Sequence, residues 1–279
     1  MLDVNIPLES LWYPFGLTVF AGLATGLGAA IAFFTRSTHR GILSLTMGFA
    51  AGVMLYVSFV EILAKARESL TEALGASGPW YTVLAFFVGM AVIALIDYMV
   101  PDYENPHQVH SVEEMELGEG ALPKNNAHDF AKLRRTGIFA AVAIAIHNFP
   151  EGLATFTAAI MDPSLGMAIA VAIALHNVPE GIAISIPIYY ATGSRKKAFG
   201  YAFLSGLAEP LGAIVGYALL LPFFTAATFG TLFAGVAGIM VYISLDQLLP
   251  AAQEFGEHHL SILGVVAGML VMAISLLLL

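Results

Sequence analysis

Long hydrophobic segments alternate with short polar connections along almost the whole chain. Eight of these segments reach the roughly 20 apolar residues that a helix needs to cross a bilayer. They cover residues 8–34, 41–64, 80–100, 137–160, 165–190, 198–222, 226–250 and 260–279. The pattern predicts an all-α membrane protein with eight transmembrane helices, which together form one transmembrane domain over residues 1–279.

One long polar connection, residues 101–136, interrupts this pattern. It carries a run of acidic residues followed by several basic ones, and it has few large apolar side chains. A segment of this composition buries too little apolar surface to offset the entropy of ordering it. The sequence therefore predicts a mobile cytoplasmic loop between the third and fourth helices.

The basic residues predict the orientation in the membrane. If the N-terminus is outside, most of the 11 Lys and Arg residues fall in cytoplasmic connections, whereas Lys65 and Arg67 fall outside. Eight crossings return the C-terminus to the outside. The first basic residue is Arg36, so the first segment lacks the basic start of a signal peptide and is expected to remain as a span. We expect a multi-pass protein of the cytoplasmic (inner) membrane.

Composition agrees with this picture and excludes several classes of protein. Hydrophobic residues make up 58% of the chain and charged residues 11%, whereas a soluble domain carries about 25% charged residues. The net charge of -9 lies mostly in the connections and does not indicate nucleic-acid binding. The chain has no cysteine, which excludes disulfides and thiolate metal sites.

Two near-identical hexapeptides lie inside the fourth and fifth segments. Residues 147–152 read His-Asn-Phe-Pro-Glu-Gly and residues 176–181 read His-Asn-Val-Pro-Glu-Gly. The spacing places each histidine one helical turn from its glutamate. Ionisable groups are expensive at membrane depth and are usually there for function. The repetition predicts two helices that contribute to one intramembrane metal site, although a His–Glu pair can also be a simple packing hydrogen bond.

A third carboxylate, Glu209 in the sixth segment, falls at a similar depth to Glu151 and Glu180. Three buried carboxylates and two imidazoles would repel and desolvate badly without a counter-ion, and no Lys or Arg is available at that depth. A divalent cation supplies the missing charge. One ion together with a proton, or two ions that share carboxylates, would both be tolerable.

Proline and asparagine residues surround these groups. Pro150, Pro179 and Pro210 lack an N–H and are predicted to disrupt their helices and to free carbonyl groups near the site. Broken helices at this depth are acceptable where they line a wet cavity or are buried in protein. Asn148 and Asn177, next to the histidines, offer further oxygen ligands.

A second repeat relates the second and seventh segments. Gly52–Ser58 reads Gly-Val-Met-Leu-Tyr-Val-Ser and Gly238–Ser244 reads Gly-Ile-Met-Val-Tyr-Ile-Ser. The two segments cross the membrane in opposite directions, and an inverted repeat is typical of alternating-access transporters. Chance similarity of two apolar helices is the alternative. Met54, central in the repeat, is a candidate metal ligand, although methionine in a membrane helix is usually core filler.

Two further carboxylates mark the ends of these segments. Glu61 lies toward the outer end of the second segment and Asp246 toward the inner end of the seventh. One carboxylate at each mouth would attract a cation at the entrance and release it at the exit. The alternative is an interfacial residue that reaches the lipid headgroups.

At these residues the chain resembles the ZIP family of metal-ion transporters, in particular its bacterial ZupT-like branch. The resemblance covers nearly the whole chain and is most specific in the two hexapeptides, in Gly-Leu-Ala-Glu-Pro-Leu-Gly at 206–212 and in the run that ends at Met54. It implies eight helices in a 3+2+3 arrangement with an inverted repeat and a central binuclear site. One subsite would use Met54, His147, Glu151, His176 and Glu180. The other would use Asn148, Asn177, Glu209 and the shared Glu151 and Glu180.

The resemblance implies uptake of divalent transition-metal ions by alternating access. Imidazole, thioether and carboxylate ligands suit zinc and also iron, manganese, cobalt and cadmium, whereas magnesium should be excluded. These ions would be cargo, and no cofactor is expected. The expected partners are the metal ions, the lipid bilayer and a second copy in a homodimer, without nucleic acid.

Two other classes of function are the alternatives. An intramembrane metal-dependent hydrolase would use a metal-bound water, but the His-Glu-x-x-His signature of such a protease does not occur in the sequence. A metal sensor would signal through the inner loop, and deletion of residues 105–130 should then abolish its function. Transport is the function that the sequence favours.

Overall fold

The computed structural model describes residues 8–34, 40–99, 145–146, 148–192, 194–220, 225–254 and 258–278, and the elements within these ranges are all helical. The α-helices in chain order are α1 Trp12–Phe34, α2 Arg40–Val57, α3 Leu63–Leu74, α4 Gly78–Met99, α5 148–161, α6 Pro163–Thr192, α7 Arg195–Gly206, α8 Ala208–Leu220, α9 Ala226–Ile243, α10 Leu249–Glu254 and α11 His258–Leu278. The predicted all-α class is confirmed.

The described helices account for about seven crossings of a membrane. Six continuous helical stretches are long and apolar enough to span it. The stretch Ser44–Tyr98 holds two of the crossings, because the chain turns at Gly75, where φ is 59°, and α4 then packs against α3. Of the predicted span 137–160, 145–146 and 148–160 are described. The predicted loop 101–136 lies outside the described residues.

Two predicted spans differ from the observed helices. The second was expected to end at residue 64, but the helical chain continues to Leu74. Hydropathy detects only its apolar part, whereas the polar part after Leu63 is rich in Ala, Leu, Lys, Arg and Glu, which are good helix formers. The sixth, predicted as 198–222, begins at Arg195 and is divided at Leu207 into α7 and α8.

A tight turn at Asp162 joins α5 to α6. One carboxylate oxygen of Asp162 accepts hydrogen bonds from the Ser164 hydroxyl at 2.6 Å and from the backbone N–H groups of Ser164 and Leu165 at 2.9 and 3.3 Å. Asp162 therefore caps α6, and Pro163 occupies the first helical position, where its missing N–H is harmless. The Tyr13 hydroxyl donates to Pro163 O at 3.3 Å and holds the start of α1 at this turn.

Both copies of the second repeat end in a π-helical turn. Ser58–Ile62 follows α2 and Ser244–Leu248 follows α9, so each turn begins at the serine that closes the repeat. Glu61 lies in the π-turn after α2, and Asp246 lies in the π-turn after α9. π-turns within α-helices are rare and frequently occur at functional sites. The repeat seen in the sequence is therefore also a repeat of backbone geometry.

Glycine residues set the close crossings of this fold. A Cβ added to Gly52 on α2 would overlap Val265 O on α11, and one added to Gly238 on α9 would overlap Phe86 O on α4. Small residues allow such close approach of membrane helices. The two glycines occupy the same position of the repeat, and each brings its helix against a neighbouring backbone.

Apolar side chains fill the space between α2, α4 and α9. Ile62, Phe233 and Met240 are fully buried there, and the same cluster continues to Ile169 and Ile173 on α6. This packing connects the apolar part of the bundle to α6. It therefore supports, from one side, the helix that carries the second hexapeptide.

Candidate metal centre

The crossing of α1 with α6 positions the second hexapeptide. A Cβ on Gly181 would overlap Thr25 O, and a Cβ on Gly28 would overlap Val178 O. Gly181 is the last residue of the hexapeptide and Val178 its third. The hexapeptide is thus held against the backbone of α1, and neither glycine tolerates a side chain without movement of one helix.

The crossing of α5 with α8 positions the first hexapeptide in the same way. A Cβ on Gly152 would overlap Glu209 O, and a Cβ on Gly212 would overlap Phe149 O. The backbone of Glu209 therefore lies directly against Gly152, the last residue of the first hexapeptide. This contact brings the Glu209 backbone to the first hexapeptide, and the role of Glu209 as a ligand stays a prediction.

An imidazole and a carboxylate from different helices meet in the centre. His176 Nε2 on α6 lies 3.1 Å from Glu151 Oε1 on α5. The exposed fractions of the two side chains are 0% and 1%. The sequence suggested pairs within each hexapeptide, four residues apart, whereas this contact joins the second hexapeptide to the first.

Both asparagines point their amide nitrogens at backbone carbonyls. Asn177 Nδ2 donates to Ala21 O at 2.9 Å and also to Glu209 Oε1, and Asn148 Nδ2 donates to Ser205 O at 3.3 Å. Asn148, Asn177 and Glu209 are fully buried. The Oδ1 atoms of both asparagines lack a hydrogen-bond partner among the described residues. Oxygen atoms of this kind can serve as ligands for a cation.

Two further predicted ligands are buried nearby, in different surroundings. Glu180 lies one turn after His176 on α6 and is 3% exposed. Met54 is fully buried in the apolar cluster, together with Ala158 on α5 and Ile173 on α6. Its packing role is therefore visible, and the role of its sulfur as a ligand stays a prediction.

The centre holds more acidic than basic side chains in the described part of the chain. The buried charged residues there are Glu151, Glu180 and Glu209, and no Lys or Arg is buried with them. No three His, Asp or Glu side chains within the described ranges already converge as ligands of one ion. His147, the remaining predicted imidazole, lies outside the described residues.

The expectation that each proline breaks its helix is wrong for Pro179. α6 runs continuously from Pro163 to Thr192, because a proline removes only one N–H donor and packed membrane helices tolerate that loss. In the sixth segment the break falls at Leu207, before Pro210, which sits in the first turn of α8. A proline is tolerated there because its N–H would lack a helical partner in any case.

Glu61 lies at the end of the bundle that carries the α5–α6 turn. It is partly exposed and lies within electrostatic range of Lys65 and Asp162. The hydrogen bond from the Ser164 hydroxyl lowers the pKa of Asp162 below its ordinary value. Asp162 therefore stays charged at neutral and mildly acidic pH.

Asp246 lies at the opposite end of the bundle. It is exposed, the Tyr242 hydroxyl donates a hydrogen bond to its carboxylate, and Asp97 near the end of α4 lies within electrostatic range of that tyrosine. The structure thus separates Glu61 and Asp246 to the two ends of the bundle. Neither acid belongs to the centre itself.

Sequence reasoning missed one element of the centre, the segment of α1 that faces α6. Residues 22–29 read Gly-Leu-Ala-Thr-Gly-Leu-Gly-Ala and residues 206–213 read Gly-Leu-Ala-Glu-Pro-Leu-Gly-Ala. The two segments differ only where Thr25 and Gly26 stand in place of Glu209 and Pro210. An internal comparison of the first and sixth spans would have found this match.

The fold and this centre define a polytopic, all-helical membrane protein with a buried polar site. The profile of the ZIP zinc transporter family matches residues 101–276. That match covers more than half of the chain, and it includes both hexapeptides and the segment around Glu209. The chain belongs to the ZIP zinc transporter family.

Individual relatives match over nearly their whole length. The zinc transporter ZupT of Nitratidesulfovibrio vulgaris is 66% identical over 265 residues, which is 95% of this chain and 96% of the relative. The zinc transporter ZupT of Chlorobaculum parvum is 59% identical, with 97% and 98% covered. That of Lysinibacillus sphaericus is 59% identical over 279 residues, with 100% of both chains covered.

The names of these relatives describe transport and not catalysis. The chain is accordingly a transporter and not an enzyme, and the metal-dependent hydrolase considered above gains no support. The sensor hypothesis concerned residues 105–130, which lie outside the described residues.

Proposed function

We propose that the protein takes up divalent transition-metal ions, zinc first among them, across the cytoplasmic membrane. Relatives that are 59% to 66% identical over nearly the whole chain are named zinc transporters. The single observation that carries the proposal is the buried His176–Glu151 contact beside Glu209 and Glu180. Burial of three carboxylates beside one described imidazole leaves an excess of acidic groups, which is costly, and a doubly charged cargo would relieve that cost when it binds.

The proposed site uses the ligands that the sequence predicted. Glu151, His176 and Glu180, with His147 and Met54, would hold one ion, and Asn148, Asn177 and Glu209 would complete a second subsite through the shared carboxylates. The His176–Glu151 contact is one that a bound cation would replace, because both atoms are ligands for the same ion. Binding would also release protons from ligands that are protonated in the ion-free state.

The proposed transport cycle is alternating access. A cation would enter past Glu61, lose most of its water at the centre and leave near Asp246. The paired glycine crossings and the two π-turns support an inverted repeat, which is the architecture of many such transporters. We accordingly propose eight helices in a 3+2+3 arrangement over residues 1–279, with both termini outside and residues 101–136 in the cytoplasm.

The range of ions follows from the proposed ligands. Imidazole and carboxylate accept iron, manganese, cobalt and cadmium as well as zinc, and no thiolate is present to favour zinc strongly. Magnesium would be rejected, because it loses its water reluctantly and prefers a shell of oxygen atoms. The bilayer and a second copy of the chain are the expected partners.

Flux into liposomes tests this function. Purified protein is reconstituted into vesicles that contain a zinc-sensitive dye, and zinc is added outside. We expect zinc entry that excess manganese or cadmium reduces and that excess magnesium leaves unchanged. Vesicles without flux, from protein that keeps its zinc through dialysis against a chelator, would contradict transport.

A further inference from the structure

The hydrogen bonds of the two asparagines follow the match between residues 22–29 and 206–213. Asn177 donates to Ala21 O, and Asn148 donates to Ser205 O. Ala21 and Ser205 are the residues that immediately precede the two matching segments. Equivalent asparagines of the two hexapeptides therefore bind equivalent carbonyls of α1 and α7.

Gly22 and Gly206, the first residues of the two segments, pack directly on each other. A Cβ on either one would overlap the carbonyl oxygen of the other. A reciprocal contact between equivalent residues is expected where a two-fold relation passes between them. The surroundings of the centre on the two sides of this contact can therefore be compared position by position.

The comparison pairs Thr25 with Glu209, and both side chains are fully buried. Glu209 accepts a hydrogen bond from Asn177. The equivalent neighbour of Thr25 is Asn148. Thr25 Cβ lies 3.1 Å from the position where Gly206 would carry a Cβ. Asn148 donates its hydrogen bond to Ser205, the residue before Gly206.

Three uncharged oxygen atoms adjoin this backbone. Thr25 Oγ1, Asn148 Oδ1 and Ser205 Oγ belong to residues that are 0%, 0% and 2% exposed. Within the part of the chain that the structure describes, none of the three oxygens has a hydrogen-bond partner. Buried polar atoms are normally satisfied by protein or by ordered water. Because Asn148 Oδ1 is a proposed ligand of the second ion, the hydroxyls of Thr25 and Ser205 are the atoms that indicate a further occupant.

We propose that the hydroxyls of Thr25 and Ser205, beside the proposed ligand Asn148, form an uncharged oxygen subsite that holds the water molecules a bound divalent cation retains in the centre. This inference rests on the function proposed above. The carboxylates would supply the charge, and the subsite would complete the hydration of the ion on the opposite side. A second carboxylate in place of Thr25 would instead add a negative charge to a cluster that already has three.

The subsite has a consequence for the choice of ion. Zinc is commonly satisfied by four ligands with little water, whereas manganese prefers oxygen ligands, including water. Manganese should therefore depend on the subsite more than zinc does. Thr25 would act as a specificity-determining residue, although it contributes no charge.

Titration calorimetry of the purified full-length protein with zinc and with manganese tests the subsite. Thr25→Val keeps the branched shape and removes the hydroxyl. We expect manganese affinity to fall about tenfold and zinc affinity to change by less than about threefold. Thr25→Ser should retain the wild-type affinities.

Thr18→Val is the matched control on the same helix. Thr18 is also fully buried, but its hydroxyl donates to Phe15 O at 2.8 Å within α1. We expect no change in either affinity. Ser205→Ala removes a second hydroxyl of the subsite and should reproduce the selective loss of manganese, and it replaces Thr25→Val as the test if that variant does not fold.

Folded Thr25→Val and Ser205→Ala variants that bind both metals as the wild type does would overturn the subsite and leave the proposed transport intact. Equal losses for the two metals would overturn it as well. A wild-type protein that binds neither metal and shows no flux would instead overturn the proposed function, and the subsite with it.

Discussion

The apolar and the polar helix crossings of this bundle both depend on glycines that allow close backbone approach, but the side chains around them differ. Gly52 and Gly238 bring α2 to α11 and α9 to α4, and the side chains beside them are apolar. Gly181 and Gly152 bring α6 to α1 and α5 to α8 just as closely, and there they frame carboxylates and amides. Close glycine packing therefore explains the fold, and the polar side chains placed on it explain the function.

The largest effect should come from removing one charge from the polar interior. Glu151→Gln keeps the size of the side chain but removes a proposed ligand and the partner of His176. We expect zinc flux into liposomes to fall about a hundredfold, with the protein still folded. Glu68→Gln, at a 74% exposed side chain near Lys65, should leave the flux unchanged.

Wild-type flux in the Glu151→Gln variant would show that the buried pair is structural. In that case the polar interior would only stabilise the fold, as the apolar interior does, and the two kinds of crossing would not differ in function.

The next largest effect separates the two kinds of crossing. Gly52→Ala and Gly181→Ala each force a Cβ into a backbone carbonyl, and overpacking of this kind typically costs about 1–3 kcal/mol. Both should lower the melting temperature in detergent, but Gly181→Ala alone should also weaken zinc binding, because Gly181 belongs to the second hexapeptide.

Gly16→Ala is the control for these variants, since an added Cβ there meets nothing within 4 Å. It should leave the melting temperature unchanged or raise it slightly, because alanine favours helix by up to about 1 kcal/mol. Equal loss of zinc affinity in Gly52→Ala and Gly181→Ala would erase the distinction between the interiors.

A smaller effect is expected when the carboxylate of Glu209 is removed and one is introduced at Thr25, the equivalent position on the other side of the Gly22–Gly206 contact. Glu209→Thr should lower zinc affinity about tenfold. The double variant with Thr25→Glu places a carboxylate at the equivalent position and should recover part of that loss, as calorimetry would show. A double variant that binds zinc more weakly than Glu209→Thr would refute the equivalence of the two positions.

The smallest effect should come from Asp162, at the end of the bundle that carries Glu61. Asp162→Asn keeps the helix cap, since asparagine caps as well as aspartate, and removes a charge near Glu61. We expect zinc flux to fall about twofold to fivefold at low salt and the difference to shrink as salt screens the charge.

The pH dependence gives a second test of the Asp162 charge. The lowered pKa of Asp162 keeps it ionised as the pH falls toward mildly acidic values. The ratio of wild-type to Asp162→Asn flux should therefore stay constant over that range. A ratio that approached one as the pH fell would mean that Asp162 loses its charge there.

Much of the centre could be predicted from the sequence because its signals are local. The two hexapeptides and the segment around Glu209 carry ionisable residues within apolar segments. Because such residues are costly to bury, they are expected to lie together in one site. The structure brings His176 into contact with Glu151 and Asn177 into contact with Glu209, and their roles as metal ligands stay a prediction. The sequence also placed Glu61 and Asp246 at opposite ends.

The remaining features depend on packing between helices, which a single sequence does not report. Periodicity predicted pairs within one helix, whereas His176 contacts Glu151 on the next. The helix continues through Pro179 because packed membrane helices tolerate the loss of one hydrogen bond. Thr25 escaped attention because a buried threonine in an apolar helix looks ordinary until its position is compared with that of Glu209.

Melting of the ion-free and zinc-bound protein in detergent tests most directly whether a cation compensates the buried acids. For the wild type, zinc at about 100 times its dissociation constant should add about 2.7 kcal/mol and raise the melting temperature by roughly 5–10 °C. The Glu151→Gln, Glu180→Gln double variant should be at least as stable as the wild type without zinc, and zinc should barely change it. Equal stabilisation of both proteins by zinc would contradict the account.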